Sequence, residues 1–231
     1  MDVIKSQLSI LRSYDKQKQP YQSLDGLSNG IRKTNKRSVL MKLPDDFRGR
    51  SILDLGCNTG AFCFEAKKRN AGRVVGLEYS LRPLLIAREI NLNKNLNIQF
   101  QQINLNDGII NLAMQLGNSK FDYLFALSIW KHVYDNIFWM IIRGFTKRAC
   151  WIELSAVHDG RHYGEDLKKF LKNNHNNVEE IRKLLLQKSG AQDVKFLCNT
   201  NDQGKRGCYL IIYDLEDELC RNIIDKEKLN E

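Results

Sequence analysis

Proline is scarce in this chain of 231 residues, with only 3, so a proline-rich linker or an extended disordered chain is not expected. No run of about 18 uninterrupted apolar residues occurs, which argues against a membrane span. The opening MDVIKSQLSILRSYDK breaks its apolar pattern at Lys5, Gln7 and Arg12, so it does not read as a secretory signal. The 6 cysteines are too sparse for a disulfide scaffold, and none forms a C-x-x-C pair or has a histidine at zinc-ligand spacing. Free thiols, a reducing cytoplasmic compartment and no bound metal are therefore expected. A phosphate loop of the G-x-x-x-x-G-K-[ST] type is missing, as is a complete G-x-G-x-x-G dinucleotide fingerprint.

What remains is the profile of an ordinary globular domain: 42% hydrophobic and 27% charged residues, in a length that suits one domain with a short appendage. The net charge is +9 and uneven. Residues 1–50 hold 11 Lys and Arg against 5 Asp and Glu, whereas residues 215–231 hold 3 against 6. A basic entrance favours anionic partners such as RNA, a phosphate or a carboxylate; a merely solvated basic surface is the alternative.

Periodicity divides the chain. Residues 2–16 place Val3, Ile4, Leu8 and Leu11 on one helical face. Residues 17–37 are polar and then basic, as in a lid, and 38–42 suit a helical turn. Short apolar runs at 51–55, 73–77, 98–103, 121–126 and 149–154 read as buried strands. Helical patterns at 62–69, 81–92, 136–145, 167–172 and 178–188 separate or follow them. Two last strands, 194–197 and 208–213, flank a polar loop that suits a hairpin. Strands alternating with helices imply a mostly parallel sheet covered on both faces. The segment 215–231 reads as a charged surface helix or tail. The domain reading is thus an N-terminal helix and basic lid (1–43), a central α/β domain (44–214) and the C-terminal helix (215–231).

In such sheets ligands bind beyond the carboxyl ends of the strands. The first strand leads into Asp54-Leu55-Gly56-Cys57-Asn58-Thr59-Gly60, a two-glycine turn at a helix entrance. The second strand ends in Glu78, near the ~20-residue spacing of a ribose acceptor, and a carboxylate accepts well from a vicinal diol. A helix cap is its alternative role. Asn104, after the third strand, could read an adenine edge, with Leu105 stacking or donating, or could simply make a turn.

The string LPDDFRGRSILDLGCNTGAFCFEAKKRNAGRVVGLEYS resembles the opening half of a class I S-adenosylmethionine-dependent methyltransferase, and the similarity extends over residues 44–213. Its C-N-T-G loop is most like the branch that includes enzymes similar to the tRNA wobble-uridine modifying family. The resemblance implies a Rossmann-like, seven-stranded, mostly parallel sheet with helices on both faces and an antiparallel terminal hairpin. It implies S-adenosylmethionine as cofactor, with Asp54, Gly56 and Gly60 around its methionine part, Glu78 on the ribose and Asn104 at the adenine. Cys57, Asn58, Tyr79, Leu105 and Leu127 complete the expected cofactor set. Asn58 stands where the family has its middle glycine.

Acceptor chemistry should follow the fourth and fifth strands. His132 is a candidate base, with capping or packing the alternative. Trp130 is a candidate to stack on adenine or acceptor, again against plain packing. Glu153 ends the fifth strand as an acid/base or orienting group, or as a paired structural carboxylate. The loop after it carries His158, Arg161, His162 and Tyr163, which suit anion binding and proton transfer. Tyr21 and Arg37 are the aromatic and basic lid residues expected to meet substrate. No [DNS]-P-P-[FYW] element and no Pro-Cys pair is present, which argues against two styles of nucleobase methylation. The preferred reading is methyl transfer to a small anionic metabolite. An RNA (tRNA) methyltransferase using the basic N-terminal segment, and a catalytically idle cofactor-binding module, are the alternatives.

Overall fold

The computed structural model describes residues 33–155, 162–200 and 206–228. The N-terminal helix expected at 2–16, most of the lid, and Tyr21, His158 and Arg161 lie outside them.

The described chain begins with helix α1 (Thr34–Leu40), then β1 (Ile52–Leu55), α2 (Ala61–Lys68), β2 (Val74–Glu78), α3 (Leu81–Lys94) and β3 (Gln99–Gln102). A 3₁₀ turn (Leu105–Asp107) and α4 (Ile109–Leu116) lead to β4 (Phe121–Leu127). A second 3₁₀ turn (Trp130–His132), α5 (Asp135–Phe145) and β5 (Thr146–Ser155) follow. The chain continues through α6 (Glu165–Asn174), α7 (Val178–Ser189), β6 (Asp193–Asn199), β7 (Arg206–Ile212) and α8 (Glu218–Lys228). The seven strands form one sheet in the order β3-β2-β1-β4-β5-β7-β6. β1 to β5 pair in parallel, whereas β7 runs antiparallel to both β5 and β6. This is the mostly parallel sheet with a terminal hairpin that the sequence implied.

Alternation along the strands builds two cores. Leu53, Val75, Leu124, Cys150 and Ile211 face a layer made by α4, α5, α6 and α7. Ile52, Val74, Tyr123, Trp151 and Leu210 face the opposite layer, to which Phe62 and Ala66 of α2, Leu84 of α3 and Leu219 of α8 contribute. Because successive strand side chains point to opposite faces, parity decides the fate of every polar strand residue as well. Asp54 and Glu153 share parity with Ile52 and Trp151 and point into the second layer, where both are buried.

Three elements differ from the sequence reading. α4 was not expected, because its apolar residues include the exposed Ile110 and Met114, which blur the period; Gly108 (φ 95°) and Gly117 (φ 77°) bracket it. The charged C-terminal segment forms the expected helix, but that helix is fastened to the sheet rather than appended to it. α8 buries Leu219, Cys220 and Ile223, and the Tyr123 hydroxyl donates to Asp217 at 2.5 Å. Arg148 clamps Asp122, Asp214 and Asp217 at 2.8–3.0 Å, fastening this end to β4 and β5. The turn expected at 38–42 is the end of α1, which starts earlier, at Thr34. Among the described residues no helix is long and apolar enough to cross a membrane.

Candidate functional site

A cavity of about 590 Å³ opens beyond the carboxyl ends of β1 to β4. That volume lies within the range of small-molecule sites. Its position follows from topology: β1 sits between β2 and β4, so the chain leaves the sheet in opposite directions on its two sides.

One end of the cavity is made by the loops after β1, β2 and β3. Gly56 (φ 70°) and Asn58 (φ 53°) line it; both hold left-handed backbone, and a Cβ on Gly56 would stand 2.6 Å from Ile129 Cδ1. Glu78 lines the same end. Its two oxygens accept from the backbone N–H groups of Asn58 (2.9 Å) and Ser80 (2.8 Å). A carboxylate offers about four acceptor sites, so these bonds fix the group and leave capacity for a ligand diol. Tyr79, Asn104, Leu105 and Leu127 complete this end, with apolar walls from Leu77 and Ile103. The Asn104 side chain is occupied locally: its oxygen accepts from Asn106 N–H at 3.2 Å and its amide donates to Asp107 at 2.9 Å.

The rest of the lining is more basic. Lys131, His132, His162 and Arg206 contribute to it, with Ser128 and Val133. The His162 ring meets the Tyr134 ring edge-on at 4.5 Å. Asn106 ties two of these loops together. Its amide donates to His132 O (3.1 Å) and its oxygen accepts from Tyr134 N–H (2.9 Å), fixing the β4 loop against the β3 loop.

Several expected site residues lie elsewhere. Asp54 is buried behind the glycine loop, where the Cys63 thiol donates to it at 3.4 Å. Burial raises its pKa to about 7, with the Cys63 hydrogen bond opposing and the Glu78 charge adding to the rise. Cys57 turns its thiol inward beside Gly76 rather than into the cavity. Gly60 (φ 81°) opens α2 and packs on Phe100; it does not line the cavity. Trp130 is 1% exposed, stacks on Phe138, and donates its indole N–H to Asp135 at 3.0 Å, so packing replaces the expected acceptor contact. Tyr163 is buried against Trp130, and burial drives its phenol upward. Both belong to the core.

Arg37 and Glu153 are likewise internal. Arg37 Nη2 donates to Glu153 Oε2 at 3.1 Å, with side chains 4% and 0% exposed, and the guanidinium lies 4.9 Å over the Phe62 ring. The hydroxyls of Ser128 and Thr200 also donate to Glu153. Glu153 is therefore a paired structural carboxylate, and Arg37 a buried strut rather than a lid residue. Asn106, Thr200 and Arg206 were missed from sequence. All three lie in polar loops or strand ends, and only the fold brings them beside β4 and β5.

A family model described as a methyltransferase domain matches residues 46–227. Among curated proteins, the chain is 28% identical over 102 residues to a ubiquinone biosynthesis O-methyltransferase of Pasteurella multocida, covering 42% of each chain. It is 26% identical over 102 residues to a tRNA U34 carboxymethyltransferase of Campylobacter lari, covering 44% of this chain and 33% of that one. The matches thus span less than half of these relatives. Among solved structures, an O-methyltransferase from Bacillus cereus in complex with SAH superposes with a TM-score of 0.59 at 17% identity, covering 90% of this chain and 91% of that one. The bifunctional kinase-methyltransferase WbdD gives 0.62 at 16% identity, covering 88% and 46%. At such identities the structural likeness speaks to fold alone.

Proposed function

The chain belongs to the methyltransferase domain family, and from that premise we propose that it transfers a methyl group from S-adenosylmethionine to a small anionic metabolite. The observation that carries this reading is one cavity lined both by a fixed carboxylate, Glu78, and by the basic groups Lys131, His132, His162 and Arg206.

The residues present suit the cofactor. Glu78 would accept from the ribose hydroxyls. Leu77, Ile103, Leu105 and Leu127 offer apolar walls for a flat base, with Asn104 at its polar edge, and Gly56 and Asn58 keep the backbone low where the methionine part would lie. When bound, the cofactor supplies an electrophilic methyl group on a sulfonium, whose departure leaves a neutral thioether. The protein's share is alignment and charge. Lys131 attracts an anionic acceptor, and the Asn106 clamp holds the turn that carries His132. His132 and His162, both lining the cavity, carry ring nitrogens that can take a proton from a protonated acceptor. Glu153 stays buried and paired and moves no proton.

The test is incubation of the full chain with methyl-labelled S-adenosylmethionine and fractionated cell extract. Label in the small-molecule pool is expected. Label in RNA, with association that weakens steeply as salt rises, would instead support the RNA reading, which rests on the basic residues 1–50 and the tRNA-modifying relative. Cofactor binding without labelled product in any pool would support the idle module.

A further inference from the structure

Resting on that reading, we propose that Arg206 selects the acceptor by its carboxylate or phosphate group, and that Ser128 and Glu153 are positioning residues that aim it. Arg206 opens β7, and its backbone pairs with Ser155 at the end of β5. Its side chain is 15% exposed and lines the cavity. Nη1 donates to Ser128 Oγ at 3.0 Å and stands 4.0 Å from Glu153 Oε2.

The mount beneath it is over-determined. Ser128 holds φ 63°, a left-handed conformation that non-glycine residues seldom adopt. It is kept there from two sides: its N–H donates to Glu153 O at 3.1 Å, and its hydroxyl donates to the Glu153 carboxylate. Glu153 is in turn fixed by Arg37 at 3.1 Å and by the Thr200 hydroxyl. Strain of this kind persists only where the surroundings enforce it, and here its effect is to present an oxygen to Arg206. A guanidinium so held offers a planar fork that matches carboxylate or phosphate geometry.

Charge along the cavity supports the same assignment. Among its described lining residues Glu78 is the one carboxylate, while Lys131 and Arg206 are cations. β2 and β7 are four strand spacings apart in the sheet, roughly 19 Å at ~4.8 Å each. The carboxylate that suits a sugar diol and the guanidinium that suits an anion therefore belong to opposite ends.

The experiment divides the small-molecule extract on an anion exchanger before the reaction. The retained and unretained pools are each offered to the full chain with methyl-labelled cofactor. Label is expected in the retained pool. Arg206→Ala should lower that labelling at least tenfold, chiefly through KM, while affinity for S-adenosylhomocysteine stays within twofold, which also reports folding. Arg206→Lys should recover part of the activity, because charge returns without the fork. Ser128→Ala should fall between parent and Arg206→Ala. Phosphatase treatment of the retained pool separates the sources: loss of labelling assigns a phosphate, persistence a carboxylate. Label arising in the unretained pool, or parental labelling by Arg206→Ala, overturns the assignment while the methyltransfer reading stands. Label in neither pool overturns the small-acceptor reading, and this proposal with it.

Discussion

Substituting Glu153 by Gln probes the mount directly. The change keeps shape but removes the charge at a side chain that is 0% exposed and ion-paired with Arg37, itself 4% exposed. Removing one partner of such a buried pair costs about 3–5 kcal/mol, much of it from the guanidinium left behind. The new amide NH₂ also replaces one of the two oxygens, so it faces either the Thr200 hydroxyl or the Ser128 hydroxyl together with Arg37, each of which now donates there. At roughly 2–4 °C per kcal/mol for a chain of this size, a loss of about 4 kcal/mol lowers the melting temperature by about 8–16 °C. Thermal unfolding followed by circular dichroism at neutral pH measures this. The double substitution Glu153→Gln with Arg37→Met should recover part of the loss, since replacing both buried charges by neutral groups is far less costly than stranding one. A melt within 2 °C of the parent, or strictly additive effects in the double variant, would refute the reasoning.

Three further outcomes are expected. Glu78→Ala should weaken S-adenosylhomocysteine binding at least tenfold by calorimetry, as expected for losing bonds to a charged acceptor; unchanged affinity would remove Glu78 from the cofactor site. Trp130→Phe forfeits the indole bond to Asp135 and should cost about 1–2 kcal/mol in urea unfolding while turnover per folded molecule is retained; a selective loss of turnover would return Trp130 to the acceptor side. Asp54 binds its proton more tightly folded, with a pKa of about 7 against an ordinary 3.8, so folded chains hold a proton that unfolded chains release between about pH 4 and 7. Its contribution therefore favours folding below that window and fades as pH rises through it. Asp54→Asn should flatten this part of the pH profile of urea stability, and an unaltered slope would count against the burial argument.

Much of the architecture was legible from sequence because it rests on local patterns. The run Ile52-Leu53-Asp54-Leu55 is buried on both faces, as a central parallel strand must be, and the polar segment around 199–207 joins two antiparallel strands. The Gly56–Gly60 turn and Glu78 could be located because backbone conformation and strand-end chemistry leave marks at fixed offsets. α4 was illegible because its short apolar stretch mixes buried Leu112 with exposed Met114. The role of α8 was hidden because a charged sequence gives no hint that Tyr123 and Arg148, far upstream, await Asp217.

By itself, then, the sequence determined the alternation of strands and helices, the glycine bend and the carboxylate ending the second strand, since each depends on neighbours within a few residues. Only the tertiary structure decided which polar groups reach the cavity. Strand parity turned Asp54 and Glu153 into the layer beneath, packing drew Trp130 and Tyr163 into the core, and the antiparallel return of β7 carried Arg206 to Ser128, 78 residues away along the chain. Side-chain direction in a sheet depends on register and on what covers each face, and neither is written in any one segment.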